Sequence, residues 1–306
     1  MHISITGKLG SGKSTICDIL KSSYGYKIYS TGSIQRKFAL ERSVSTLEMN
    51  QLMVEDISFD FLIDDAVTKI SSETKNETII FDSRMAWKFA EKSFKVFVTV
   101  DPFVAAGRVM KDQRGKEEIY SDIEDAMTKL NKRSSLENER FRNIYNVDSF
   151  DYLNYNIVID STNATPQELA NIIYSHYLSY DEHNCETHEI FMSPTCLFPL
   201  EGIRSINSET LNDYISNRQY LNSKISIIAF DGYHYIVDGH HRCLAAILNE
   251  ETFVKAKTVD VDEYPFFNST QNLISEINAA GISLVYDYEE LGKFRYKSYP
   301  KYYFNV

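Results

Sequence analysis

The residues best suited to chemistry lie at the start of the chain. Gly7-Lys8-Leu9-Gly10-Ser11-Gly12-Lys13-Ser14 has the spacing Gly-x-x-x-x-Gly-Lys-Ser, in which a glycine-rich turn can aim successive backbone N–H groups at phosphate oxygens. The apolar run His2–Thr6 precedes it and the helix-like segment Thr15–Leu20 follows, so the turn joins a strand to a helix and the positive end of the helix dipole falls at the same point. Gly7, Gly10, Ser11, Gly12, Lys13, Ser14 and Thr15 are the candidate phosphate cradle. Lys13 can reach terminal phosphates, and the Ser14 hydroxyl can ligate Mg²⁺.

Three further segments carry groups of the same chemistry. Ser30-Thr31-Gly32-Ser33-Ile34-Gln35-Arg36 follows a second strand-like run and offers hydroxyls and a guanidinium to a second phosphate. Phe81-Asp82-Ser83-Arg84-Met85-Ala86-Trp87 ends a third, with Asp82 on the Mg²⁺ side and Arg84 at the strand's carboxyl end. Arg133, Arg140 and Arg142 lie in one helix-rich segment, and the seven-residue spacing of Arg133 and Arg140 puts them on one face. Phosphoryl transfer concentrates negative charge between donor and acceptor, and arginine forks neutralise it two oxygens at a time. Glu137 and Glu139 nearby leave surface ion pairing as the alternative use of these arginines.

A second constellation sits in Tyr235-Ile236-Val237-Asp238-Gly239-His240-His241-Arg242-Cys243. A strand ends in a carboxylate and a glycine turn, and a helix opens with two histidines and an arginine. The helix-start amides and Arg242 suit an anionic phosphate, and Asp238 suits a metal ion or a substrate hydroxyl. The alternative is that Asp238 caps the helix while His240 and His241 lie on the surface. His183, Cys185 and His188 have ligand types at loose spacing without a fourth ligand and do not predict zinc.

The elements that must position these groups fall into two blocks. Strands are expected at Ile3–Ile5, Tyr26–Tyr29, Thr78–Phe81, Phe94–Val100 and Asn156–Ile159, with helices at Ser58–Ile70, Ser121–Tyr145 and Pro166–Tyr177. That alternation predicts an α/β domain, a parallel sheet with helices on both faces and ligands at the strands' carboxyl ends. The pattern breaks after Tyr180, giving a first domain over 1–180, a linker over 181–187 and a smaller α+β domain over 188–306. The second block predicts a helix at Ser208–Arg218, a hairpin of Ile225–Phe230 and Tyr233–Val237 about Asp231-Gly232, a helix from Gly239 to Asn249 and a strand at Phe253–Val259.

Bulk properties narrow the classes. A chain of 306 residues with 43% apolar and 25% charged residues is globular, and a net charge of −11 argues against a nucleic-acid partner. No apolar run is long enough to span a membrane, and the first strand begins at once, which leaves no signal peptide. Cys17, Cys185, Cys196 and Cys243 form no Cys-x-x-Cys pair and read as reduced thiols, consistent with a cytoplasmic protein acting on a small molecule.

On the phosphate loop, Ser30-Thr31-Gly32…Arg36, Asp82–Trp87, Arg133…Glu137…Arg140-Phe141…Tyr145 and Asn156–Leu169, the first domain resembles nucleoside monophosphate kinases, and most the archaeal-type cytidylate kinases. The resemblance implies a P-loop kinase fold and ATP with Mg²⁺ on the loop. It implies an acceptor monophosphate held near Thr31, Gly32, Arg36 and Arg84, and a mobile lid carrying Arg108, Arg114, Arg133 and Arg140. Lys13, Arg84, Arg133 and Arg140 then serve catalysis and Arg108 the nucleotide.

The segment Ser193–Val261 resembles the ParB/sulfiredoxin fold through its Asp238-Gly239-His240-His241-Arg242 turn. This implies a second nucleotide (ADP, ATP or CTP) at that turn. His240 stands where sulfiredoxins carry cysteine, which argues against their chemistry, and the 45 or so residues that follow lack the helix-turn-helix of partition proteins. Free-serine kinases of this fold imply Glu201 as general base. The expectation is an ATP-dependent phosphotransferase for a cytidine or related, including modified, pyrimidine monophosphate, fused to a nucleotide-binding domain. Two alternatives stand beside it: an amino-acid or other small-molecule kinase working through Glu201, Asp238 and Arg242, and a nucleotide-dependent switch that recruits a partner.

Overall fold

The computed structural model describes residues 1–112, 120–183, 188–200, 207–261 and 269–283. The chain divides into two compact units, Met1–His188 and Glu189–Val306.

In the first unit β1 (His2–Gly7), β2 (Lys27–Ser30), β3 (Ile79–Asp82), β4 (Ser93–Thr99) and β5 (Ile157–Asp160) pair in the order β2-β3-β1-β4-β5. Every pairing among them is parallel. All six residues of β1 are buried, polar Ser4 and Thr6 included, so both faces of the sheet are covered, as an all-parallel sheet requires. The chain leaves β1 for β2, skips over β3 and later returns to β4 on the other side. That reversal opens a crevice at the carboxyl ends of β1, β3 and β4, where ligands of such sheets bind.

The helices of this unit are α1 (Lys13–Tyr24), α2 (Thr31–Glu41), α3 (Thr46–Glu55), α4 (Ser58–Glu73), α5 (Ala86–Phe89), α6 (Pro102–Lys111), α7 (Ile123–Tyr145) and α8 (Pro166–His183). The sequence pattern did not anticipate α3, although its start signal is present. Ser45 and Glu48 form a capping box, with Glu48 N–H donating to Ser45 Oγ at 3.1 Å and Ser45 N–H to Glu48 Oε2 at 2.7 Å. α8 runs to His183, three residues into the segment read as a linker, because Tyr174, Tyr177 and Tyr180 continue its packed face. Tyr174 stacks on Tyr24 with ring centroids 3.5 Å apart, and Tyr180 packs on Phe94.

In the second unit β6 (Glu189–Met192), β7 (Leu197–Pro199), β8 (Ile225–Phe230), β9 (Tyr233–Asp238) and β10 (Val254–Thr258) follow the order β6-β10-β8-β9-β7. Antiparallel and parallel pairings alternate across it. The β8–β9 hairpin turns on Asp231 and Gly232, both at positive φ (48° and 84°), as a two-residue turn matching strand twist demands. With α9 (Ser208–Asn217), α10 (His240–Leu248) and α11 (Thr270–Ser283), this unit is a mixed α and β structure. Leu273 and Ile277 of α11 join Phe198, Ile228 and Tyr235 in its core. Glu201 and Arg114 lie outside the described residues. Among the described residues no helix is long and apolar enough to cross a membrane.

Candidate active site

The phosphate loop leaves β1 at Gly7 and enters α1 at Lys13. Gly10 must be glycine: its φ is +73° and a Cβ there would stand 2.7 Å from the Ala105 carbonyl oxygen of α6. α1 begins at Gly12 in the left-handed region without a side-chain cap, so its first-turn N–H groups are offered to a ligand rather than to a neighbouring serine or aspartate. The Lys13 ammonium donates to the carbonyls of Gly7 (3.0 Å) and Lys8 (2.7 Å) and to Ser11 Oγ (3.4 Å). Burial, with the Arg84 guanidinium beside it, pulls the Lys13 ammonium down to about 7.

Ser14, Ser30 and Asp82 meet at the carboxyl ends of β2 and β3. The Ser14 and Ser30 hydroxyls donate to Asp82 Oδ2 at 3.2 and 3.3 Å. This set of hard oxygens fits Mg²⁺, which takes few protein ligands and fills its shell with phosphate and water. Among the described residues no group of three His, Cys, Asp or Glu side chains could hold a metal ion.

On the donor side a cleft of about 430 Å³ is lined by Gly10, Gly12, Thr15, Arg108, Ala164 and Pro166. Arg108, expected on the lid, donates through its guanidinium to the loop after β5, to Ser161 Oγ (3.0 Å), Ser161 O (2.7 Å) and Thr162 O (3.3 Å). It lines the cleft beside the phosphate loop.

On the other side of the loop the arginines converge on one carboxylate. Glu137 is buried in α7, and its two oxygens take Arg84 Nε and Arg133 Nε, each at 3.0 Å. Burial alone would raise the Glu137 carboxyl, but Arg84, Arg133 and Arg140 outweigh it and hold it below its ordinary range. Arg84 also donates to the Gly7 carbonyl, so a single guanidinium joins the phosphate loop to α7. Arg140 Nε lies 3.0 Å from Asp60 Oδ2 of α4. Arg142, grouped with these arginines in the sequence, turns outward and pairs with Asp148. Thr31 and Gly32 open α2 directly after Ser30; Arg36 belongs to α2, and its side chain lies outside the described residues.

Sequence reasoning missed Asp60 and Asp64; it named Glu137 and Tyr145 among the residues carrying the family resemblance but gave them no role in the site, beyond weighing Glu137 as a surface partner for the arginines. A signal was available. Asp60, Asp64, Val67 and Ser71 recur at helical spacing, and carboxylates on the repeating face of an otherwise apolar helix mark a buried polar contact.

In the second unit, α10 begins after Gly239 (φ +100°) and likewise has no side-chain cap, so the capping role considered for Asp238 is not what it performs. Asp238 Oδ2 instead accepts from an Arg242 guanidinium nitrogen at 2.7 Å, and the other donates to the Lys224 carbonyl at 3.1 Å. A Cβ on Gly239 would come within 2.9 Å of that guanidinium. His240 is half-buried rather than exposed, and burial drives its imidazole down to about 4. His241 accepts through Nε2 from the Asn207 N–H at 3.0 Å, tying the start of α9 to the turn.

A parallel sheet with a phosphate loop after its first strand and converging arginines at the strand ends defines a P-loop protein built to handle phosphorylated ligands. The chain belongs to the cytidylate kinase-like family, whose model matches residues 2–163. It is 30% identical over 161 residues to a cytidylate kinase of Methanothrix thermoacetophila, spanning 53% of this chain and 88% of that protein. It is 29% identical over 205 residues to one of Haloquadratum walsbyi, spanning 66% of this chain and 98% of that protein. Among solved structures, a deoxyadenosine kinase from M. mycoides aligns at 21% identity and a TM-score of 0.33, covering 58% of this chain and all of that one.

Proposed function

We propose that the first unit is an ATP-dependent nucleoside monophosphate kinase whose acceptor is a cytidine or related pyrimidine monophosphate. One observation carries the reading: Arg84 contacts the phosphate loop through the Gly7 carbonyl and α7 through Glu137. This supports a reading in which the Arg84 charge stands between a donor phosphate on the loop and an acceptor beside it. In this reading ATP lies along the cleft walled by Arg108, with its phosphates on the amides of Gly10–Ser14. An oxygen of the acceptor's phosphate attacks the γ-phosphorus, the bond to the β-phosphate oxygen breaks, and ADP and a nucleoside diphosphate leave. Lys13, Arg84, Arg133 and Arg140 stabilise the charge spread over the transferring group, where fixed dipoles and cations contribute most. Ser14 and Asp82 would hold Mg²⁺, which neutralises phosphate charge when bound. Membership of the cytidylate kinase-like family supports the pyrimidine acceptor.

For the second unit the proposal is a nucleotide-phosphate site at the Asp238–Arg242 turn, supported by the uncapped start of α10 and by Arg242 held beside it. Glu201 would be the base if this unit also phosphorylates a hydroxyl. A screen of ATP consumption by the full chain against CMP, dCMP, UMP, AMP, GMP, free serine and polyols tests both. Turnover with a pyrimidine monophosphate supports the first proposal. Turnover confined to serine or a polyol would transfer the chemistry to the second unit, and slow hydrolysis without any acceptor would favour a switch.

A further inference from the structure

α4 buries the wrong residues for an ordinary amphipathic helix. Asp60 and Asp64 are each 5% exposed, whereas Phe61 and Leu62 are 44% and 63% exposed. Two carboxylates therefore occupy the stripe that should hold aliphatic side chains, and both face α7. Asp60 meets Arg140 as an ion pair, and Asp64 accepts a hydrogen bond from the Tyr145 hydroxyl. Asp60 and Asp64 stand one helical turn apart on α4, and Arg140 and Tyr145 are separated by about 7.5 Å along α7. Tyr145 is further seated by Phe61, Phe89 and Phe141.

We infer that Asp60 and Asp64 are positioning residues that clamp α7 at two points and so set the direction in which Arg140 meets the acceptor phosphate. This rests on the reading of the first unit as a nucleoside monophosphate kinase. Ala126 and Leu130 already pack the first half of α7 on α6; the two aspartates add fixed polar contacts at its second half, where Arg140 and Tyr145 lie. Glu137 lies on the same helix one turn before Arg140, so the clamp also fixes the carboxylate that holds Arg84 and Arg133. The arrangement is poor for stability alone. Burial outweighs the neighbouring Arg140 in raising Asp60 to about 6, and outweighs the Tyr145 hydrogen bond in raising Asp64 to about 7, and apolar residues of similar volume would avoid that desolvation. Holding a buried guanidinium in place requires an opposite charge facing it, which no aliphatic residue supplies.

Steady-state kinetics of the full chain, with CMP and ATP varied separately, test this on Asp60→Asn, Asp60→Leu, Asp60→Glu, Asp64→Asn and Tyr145→Phe. Asp60→Asn should raise KM for CMP about tenfold, the scale of losing a facing charge, with KM for ATP within twofold. Asp60→Leu should show the same split and also melt lower than the native protein, since it leaves the buried Arg140 without its ion-pair partner, and Asp60→Glu should recover part of the lost acceptor affinity. Asp64→Asn and Tyr145→Phe should each raise KM for CMP less, and the double variant should be no worse than the worse single one, since both cut the same contact. Equal changes in the two KM values, or a lower melting temperature with unchanged KM for CMP, would reduce the aspartates to a structural role and overturn the inference. If Asp60→Asn does not fold, the Asp64–Tyr145 pair decides by the same criterion. A native protein that turns over no nucleoside monophosphate would instead sink the kinase reading itself.

Discussion

Each compact unit carries a strand that ends in a glycine turn and feeds a helix without a side-chain cap: Gly7–Lys13 between β1 and α1, and Asp238–His240 between β9 and α10. The first turn interposes five residues between strand and helix; the second interposes only Gly239. The longer turn can curl a series of N–H groups around a polyphosphate, while the shorter one offers a helix start and one guanidinium. Their charges are arranged differently as well. Lys13 rests on carbonyls and a hydroxyl, with Asp82 nearby acting through charge alone. Arg242 is committed to Asp238, a carboxylate of its own turn. Under the proposed function the same architectural unit would serve as a polyphosphate cradle in one case and a single-phosphate contact in the other, depending on turn length and on whether its cation brings a local partner.

The largest expected effect bears on the first turn. Lys13→Ala should lower ATP-dependent transfer by about 10³-fold, as expected for a group that stabilises transition-state charge, without lowering the melting temperature, because the buried ammonium is disfavoured by its surroundings. Near-native turnover would leave the two turns without the functional difference drawn here. Arg84→Ala should come next, at about 10²-fold in kcat/KM for the acceptor, with a smaller change in ATP affinity because only its contact to the Gly7 carbonyl touches the donor loop. ATP binding lost with acceptor use intact would put Arg84 on the donor side.

The second turn is sharpened by calorimetry on the full chain carrying Lys13→Ala. ADP, ATP or CTP should still bind, and adding Arg242→Ala should weaken that binding about tenfold; Glu201→Ala should spare it. No heat with any of the three nucleotides would leave only one nucleotide site. The smallest effect concerns stability. Asp64 has its pKa raised from 3.8 to about 7 in the fold. Between those values the unfolded chain ionises while the folded one keeps its proton, so the penalty grows as pH rises and is complete above 7. Asp64→Asn removes it and should stabilise the protein by about 2 kcal/mol at pH 8 and by almost nothing at pH 4, measured by denaturant melts at both.

These two regions also show how far sequence reaches. The phosphate loop was legible because its chemistry belongs to contiguous backbone: glycine positions, one lysine and one serine specify it. The hairpin about Asp231-Gly232 was legible for the same local reason. The Glu137 cluster was not, since it assembles β3, α4 and α7, and a carboxylate among arginines reads as surface pairing until burial is known. Asp60 and Asp64 hid because a one-dimensional pattern shows helical spacing but not which stripe faces inward; Phe61 and Leu62 would have been chosen for the core. Arg108 was legible as a nucleotide residue by resemblance, but its anchoring depends on carbonyls 53 and 54 residues away.

Trp87 is the chain's single tryptophan. It lies buried in α5, three residues after Arg84, with Tyr155 packed edge-on at 5.5 Å and the Lys95 ammonium 5.9 Å from its ring centre. One indole therefore reports from the segment that carries Arg84, and no second indole elsewhere blurs it. Its fluorescence should respond when a monophosphate draws on Arg84 and change less when ATP enters alone, giving an optical readout of the acceptor half of the site without any label.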